Sequence, residues 1–343
     1  MSLCHSNISV FVPHVGCPNM CSFCDQRHIT GVKVAPATQD VKNAVNTALS
    51  SKNYDPKTTE IAFFGGSFTA INRNYMFSLL DVAYSFVKNG VVSGIRVSTR
   101  PDAISDEILN ALKSYGVTSI ELGAQSMDNE VLKANNRGHT AEDVEKASEL
   151  IKEYGFSLGL QMMTGLYGDN DEKTLNTAEK IIRLKPETVR IYPTIVLKDT
   201  TLAALYADGY YKPQTVDEAV SICTKLLKMF FTAGIKVIRL GLHSIDTDAY
   251  VGGPWHPAFS ELCFSEIFLE KALGVLGEKG EYRLFVSPEN LSKMIGQNKE
   301  NIKRLKDMGY VCRVMPDSSL KSDEIYAERG DSVAVKINSN PGV

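Results

Sequence analysis

The sequence predicts an α/β fold built on parallel strands, and three observations predict it. Short apolar segments rich in Val, Ile and Phe recur at 7–13, 60–64, 94–98, 117–122, 156–162, 188–192 and 235–240. Longer stretches with helical spacing lie between them, such as Val41, Ala44, Val45, Ala48 and Leu49, and later Val144, Ala147, Leu150, Ile151 and Tyr154. Two groups of unusual residues, a cysteine cluster and a Gly-Gly-Ser turn, each follow directly on one of the apolar segments. Alternation from residue 7 to about 240 requires helical crossovers between parallel strands. That leaves a doubly wound sheet or a full or partial barrel, and in either the chemistry gathers at the carboxyl ends of the strands.

Taken in order, the first strand, Ile8 to Pro13, runs into the cysteine loop, and the second runs into Gly65-Gly66-Ser67-Phe68-Thr69. Both groups therefore fall at one end of the sheet. Ser105 and Gly116 bracket one helix, and Thr140 with Asp143 opens another that stops at Gly155. A Thr215/Glu218 capping box precedes Val216, Ala219, Val220, Cys223, Leu226, Leu227 and Phe230, which makes Cys223 a core residue. Composition shifts after about residue 252. Gly253-Pro254-Trp255-His256-Pro257 is a rigid junction holding the sole Trp, and an apolar helical stretch follows from Phe259 to Leu276. Next come a strand at Arg283 to Val286, helix-turn-helix from Pro288 to Met308 and a strand from Tyr310 to Met315. The expected domains are 1–255 and 256–343.

The chain has 343 residues, 43% of them apolar, and a net charge of −3. Its length suffices for a core without disulfides. No apolar run reaches the ~18–20 residues that cross a bilayer, and no basic-then-apolar leader opens the chain, so a cytoplasmic protein is expected. The acidity argues against a surface wholly devoted to nucleic acid. Any such footprint is local, and residues 283–313 supply one, with seven Lys and Arg against three acids.

Seven cysteines, an odd number, do not read as a disulfide framework. Cys17, Cys21 and Cys24 fall within eight residues, whereas Cys4, Cys223, Cys263 and Cys312 are scattered. Three thiolates on one loop suit three irons of a 4Fe-4S cluster and leave the fourth iron open to a small molecule. A zinc site completed by His14 or His28 is the competing reading of the spacing.

Cys17-x3-Cys21-x2-Cys24, with Phe23 before the third cysteine, resembles the signature of the radical S-adenosylmethionine superfamily. Phe63-Phe64-Gly65-Gly66-Ser67-Phe68-Thr69, Ser98-Thr99-Arg100-Pro101-Asp102, Glu121-Leu122-Gly123-Ala124-Gln125-Ser126 and Arg137-Gly138-His139 resemble its branch containing the elongator catalytic subunit. The likeness spans roughly residues 8 to 260. It implies a partial (β/α)6 TIM-like barrel, a 4Fe-4S cluster, and S-adenosylmethionine cleaved by one-electron reduction to a 5'-deoxyadenosyl radical; the small C-terminal α/β unit, KH-like in its loop, is read from the residues beyond Gly280 and lies outside the likeness. A one-electron donor such as flavodoxin or ferredoxin is implied with it. Residue by residue, Gly65, Gly66 and Ser67 would meet the methionine amine, Ser98 and Gln125 the ribose side, Arg137 the carboxylate, and Phe23 the adenine.

The elongator enzymes continue into a long acetyltransferase domain, whereas about 80 residues follow the barrel here, so acetyl transfer is not expected. Ile295-Gly296-Gln297-Asn298-Lys299-Glu300-Asn301-Ile302 looks like an RNA-binding KH loop with Lys299 in place of its second glycine. Three readings are weighed. A free nucleobase-like molecule leads, as in a queuine lyase that would release 7-aminomethyl-7-deazaguanine for queuosine salvage. A tRNA wobble nucleotide is the alternative, and a zinc RNA-binding protein is the third. Tyr192, His243, Trp255 and His256, at later strand ends and the junction, are the expected substrate contacts.

Overall fold

The structure, a computed structural model, describes residues 6–13, 20–24, 34–242 and 247–330. Seven parallel strands form one curled sheet in the order β1-β2-β3-β4-β5-β6-β8. They are β1 (Ser6–Val12), β2 (Thr59–Gly65), β3 (Gly94–Thr99), β4 (Val117–Gln125), β5 (Ser157–Thr164), β6 (Thr188–Pro193) and β8 (Lys236–Leu240). Each coincides with one of the seven apolar runs. A seventh strand thus extends the six-stranded barrel that the resemblance implies. Between them lie α1 (Thr38–Leu49), α2 (Arg73–Lys88), α3 (Asp106–Ser114), α4 (Asn129–Ala134), α5 (Ala141–Glu153), α6 (Asp171–Arg183) and α7 (Thr201–Ala207). Two of the expected caps are present: Ser105 Oγ accepts from the Ile108 amide, and Thr140 and Asp143 form a reciprocal capping box. After β6, the two-residue β7 (Val196–Leu197) pairs antiparallel with β9 (Tyr250–Gly252), a ribbon too short to leave a sequence pattern.

The chain divides into two compact units, 1–215 with 233–255, and 216–232 with 256–343. The expected boundary at 255/256 is crossed once, by α8 (Val216–Thr232), because its apolar face packs on α9 (Phe259–Val275). In the second unit β10 (Gly280–Val286) pairs parallel with β11 (Tyr310–Pro316) and antiparallel with β12 (Ile325–Arg329). The short helices α10 (Leu291–Ile295) and α11 (Glu300–Asp307) join the parallel pair. Leu284, Val286, Met294, Leu305 and Ile325 close a core with Phe268, Leu269 and Ala272 of α9. In the α10–α11 loop Gly296 has φ 76°, and Lys299 holds the left-handed conformation at φ 61° although it is not glycine. No helix among the described residues is long and apolar enough to cross a membrane.

Candidate active site

The carboxyl ends of β1 to β6 carry the site. Cys21 is buried, and the Cys24 amide donates to the Cys21 carbonyl at 3.1 Å to close a turn. The Ser22 hydroxyl donates to Asn135 Oδ1 at 2.7 Å and fixes that turn against the end of α4. Phe23 packs among Val131, Leu166, Val196, Leu202 and Tyr211. Cys17, His14 and His28 lie outside the described residues, among which no three His, Cys, Asp or Glu groups gather at metal-binding distance.

β2 ends against β1. Gly65 has φ 112°, and a Cβ there would stand 2.8 Å from the Val12 carbonyl oxygen, while the Gly66 amide donates to that oxygen. The Ser67 hydroxyl pairs with Thr99 Oγ1 at 2.8 Å and accepts from the Arg100 amide, so it braces β2 to β3. Arg100 is held by Asp102 through two hydrogen bonds of 2.8 and 2.9 Å and donates to the Arg137 carbonyl.

β4 is irregular where the site needs it. Its register with β5 shifts between Gly123 and Gln125, and Gln125 takes φ 65°, a left-handed conformation that costs a glutamine about 1–3 kcal/mol. The bulge turns this side chain toward Arg137. Arg137, 6% exposed, donates from Nη2 to the Gly123 carbonyl at 2.6 Å and from Nη1 to Cys21 Sγ at 3.1 Å. Gly123 makes the room: a Cβ there would lie 2.9 Å from Gln125 Nε2 and 3.5 Å from Arg137 Nη2. Three buried polar atoms here have no hydrogen-bond partner among the described residues: Ser98 Oγ, Gln125 Oε1 and Arg137 Nε. A buried polar atom left unmatched costs about 1–3 kcal/mol. Such atoms at Ser98 and Gln125, on the adjoining strands β3 and β4, and at Arg137, in the loop after α4, mark a place for a polar ligand. Gly123→Ala is accordingly expected to weaken S-adenosylmethionine binding tenfold or more by equilibrium dialysis, with little change in thermal unfolding of the ligand-free protein.

His139 sits behind this set. Its Nε2 contacts the Ala124 carbonyl at 3.3 Å and its Nδ1 has no partner. Burial, aided by the Arg137 charge, lowers its pKa to about 4. The unfolded chain therefore binds a proton that the fold excludes, and stability falls as pH drops from about 6.5 toward 4. In His139→Gln, urea unfolding across that window is expected to show a shallower decline than the parent; equal slopes would contradict the assignment.

Inside the sheet runs a ladder of charges. Arg96 of β3 bridges Glu60 of β2 at 3.0 Å and Glu121 of β4 at 3.2 Å. Glu121, 1% exposed, also accepts two hydrogen bonds from Arg190 of β6, at 2.8 and 2.9 Å, and one from Gln161 of β5 at 3.2 Å. Burial opposes the Arg190 charge, but the Glu121 carboxylate outweighs it and holds that guanidinium above the usual arginine range. Gly159 lies opposite Glu121, and its missing Cβ leaves room for the Glu121 side chain. Further along stand Tyr192 and Arg239. Burial raises the Tyr192 phenol, while burial, aided by Arg190, lowers Arg239. Arg239 donates to the Gly241 carbonyl at 3.2 Å and has no carboxylate partner among the described residues.

Gln125 and Arg137 are thus brought together over Gly123, Ser98 lies on the neighbouring strand β3, and Gly65, Gly66 and Ser67 brace the ends of β1 to β3. Of the expected substrate residues, Tyr192 faces the interior of the sheet. Trp255 packs with Tyr250 against Ile195, Leu197 and Ala249. His256 Nδ1 accepts from the Ala258 amide at 3.0 Å, a turn contact, and His243 lies outside the described residues. The reading from sequence passed over Gly123 as a spacer and Arg239 as a cation. Arg190 and Arg239 are register partners on β6 and β8, so their shared face emerges only from the strand order.

A family model described as the radical SAM superfamily matches residues 11–181, and one for the radical SAM C-terminal domain matches 186–268. The chain belongs to the radical S-adenosylmethionine superfamily. It is 25% identical over 240 residues to a tRNA uridine(34) acetyltransferase of Dehalococcoides mccartyi, covering 60% of this chain and 52% of that protein. It is 36% identical over 129 residues to a protein of the same description from Methanocaldococcus jannaschii, covering 37% of this chain and 24% of the relative. The chain therefore spans about half the length of the first and a quarter of the second. The archaeal Methanocaldococcus infernus Elp3 structure superposes with a TM-score of 0.65 at 22% identity, covering 78% of this chain and 63% of that one, and shares the fold.

This radical SAM enzyme of the Elp3 branch uses a 4Fe-4S cluster and S-adenosylmethionine. The residues present fit both. Cys21 and Cys24 supply soft sulfur for iron. The unpartnered Ser98, Gln125 and Arg137 atoms suit a ligand rich in amine, carboxylate and hydroxyl groups.

Proposed function

We propose that this radical SAM enzyme removes a hydrogen atom from a nucleobase, with a tRNA wobble nucleotide as its substrate. Reduced S-adenosylmethionine at the cluster supplies the 5'-deoxyadenosyl radical. Cys17, Cys21 and Cys24 hold the cluster. Arg137, Gln125 and Ser98 orient the cofactor through atoms that no described residue uses, and the observation that carries the reading is Arg137, set against Cys21 Sγ and sharing the space over Gly123 with Gln125. The interior face beyond them offers Gln161, Arg190, Tyr192 and Arg239, a planar, hydrogen-bonding surface suited to the polar edge of a base. The relatives described as tRNA uridine(34) acetyltransferases favour tRNA as the carrier of that base.

Free queuine, cleaved to 7-aminomethyl-7-deazaguanine, is the second reading. It is favoured by the net charge of −3 and by Lys299, whose side chain stands where a close clamp on a nucleic-acid backbone needs a bare glycine. The functional names of the relatives lend the lyase no support.

The experiment is anaerobic. Reconstituted protein, S-adenosylmethionine and dithionite are incubated without substrate, with bulk tRNA and with free queuine, and 5'-deoxyadenosine is quantified. A rise with tRNA is expected. A rise confined to queuine, with release of 7-aminomethyl-7-deazaguanine, would overturn the tRNA reading in favour of the second.

A further inference from the structure

We propose that Arg137 tunes the reduction potential of the cluster through its hydrogen bond to the Cys21 sulfur. The inference rests on the cluster reading above and gives Arg137 a role separate from holding S-adenosylmethionine. The geometry is specific: Nη1 lies 3.1 Å from Cys21 Sγ, and Nη2 is fixed by the Gly123 carbonyl at 2.6 Å. Both side chains are buried, Arg137 at 6% and Cys21 at 9% exposure. No carboxylate among the described residues pairs with this guanidinium.

A buried guanidinium without an anion is costly, several kcal/mol by general estimates. Cluster ligation would make Cys21 Sγ, the sulfur within hydrogen-bonding distance, the anion that this guanidinium faces. Two of the three guanidinium nitrogens are then committed to the protein, and Nε remains for a ligand. Neighbours lock the placement. Arg100 donates to the Arg137 carbonyl, and the missing Cβ of Gly123 leaves the guanidinium its space.

Hydrogen bonds to cluster sulfurs and nearby positive charge favour the more negative, reduced state. Here a low-potential one-electron donor delivers one electron to the cluster, no bond forms or breaks, and the fixed guanidinium offsets the added charge. Arg137 is a positioning residue in this role, acting through Cys21. Its effect exists without S-adenosylmethionine, which separates it from carboxylate binding.

The test is a potentiometric titration, followed by electron paramagnetic resonance, of anaerobically reconstituted protein without S-adenosylmethionine. For Arg137→Gln the midpoint is expected to fall far enough that, at the parent midpoint, the reduced-to-oxidised ratio drops about tenfold, or ~59 mV for one electron. Arg137→Lys, which keeps charge but loses the fork, should shift in the same direction by less. Iron and sulfide analysis confirms that each variant holds its cluster, and Arg137→Lys carries the test if Arg137→Gln assembles none. Midpoints equal to the parent in the cluster-bearing variants would overturn the proposal. Parent protein that takes up no cluster would instead sink the underlying reading, before any variant is compared.

Discussion

Glu121→Ala is expected to cost about 3–5 kcal/mol of folding stability, the loss seen when one partner of a buried ion pair is removed. The carboxylate is 1% exposed and receives hydrogen bonds from Arg96, Arg190 and Gln161, which belong to β3, β6 and β5. Without it two guanidinium groups remain inside the sheet, with Glu60 left to serve Arg96 and no other carboxylate among the described residues to serve Arg190. Urea unfolding of the ligand-free protein measures the loss. Arg190→Met together with Glu121→Leu, which removes both charges of that pair, should recover part of it. A loss below about 1 kcal/mol for Glu121→Ala would place the ladder among exposed ion pairs in strength and contradict its burial.

Cys21→Ala and Cys24→Ala are expected to lower 5'-deoxyadenosine formation more than a hundredfold and to remove the brown colour of the reconstituted protein, since each takes a ligand from the cluster. Cys263→Ala and Cys312→Ala should retain both. Burial pushes the Cys263 thiol up to about 12 and the Cys312 thiol up to about 11, so at neutral pH both stay protonated and unsuited to iron. Cys223, fully buried in α8, belongs with them. Iron analysis and product chromatography read the difference. Loss of iron from Cys263→Ala in a folded protein would contradict the division of the cysteines.

The barrel strands were legible as short runs rich in Val, Ile, Leu and Phe, interrupted only singly by charged residues. The helices were legible from their caps, Ser105 and Thr140 among them. β12, with Ile325-Tyr326-Ala327-Glu328-Arg329, was not, since a strand with one polar face on a small sheet carries little apolar signal. α8 sits in sequence between barrel strands, and only its packing on α9 assigns it to the second unit.

The residues proposed to hold the cofactor stand out through their motifs, whereas their geometry does not. Nothing local announces that Gln125 holds a left-handed backbone or that Gly123 clears space for Arg137, because both follow from the β4–β5 register shift. The charge ladder was hidden for a related reason. Glu60, Arg96, Glu121 and Arg190 interrupt apolar runs singly, and only the strand order brings them within 3.2 Å of one another.

Metal and sulfide content after anaerobic reconstitution, followed by reduction in the presence of S-adenosylmethionine, tests the central claim most directly. The account predicts a brown protein with about four irons and four sulfides per chain that yields 5'-deoxyadenosine and methionine when reduced by dithionite. A colourless protein that carries one zinc per chain under the same conditions, and leaves S-adenosylmethionine intact, would contradict it.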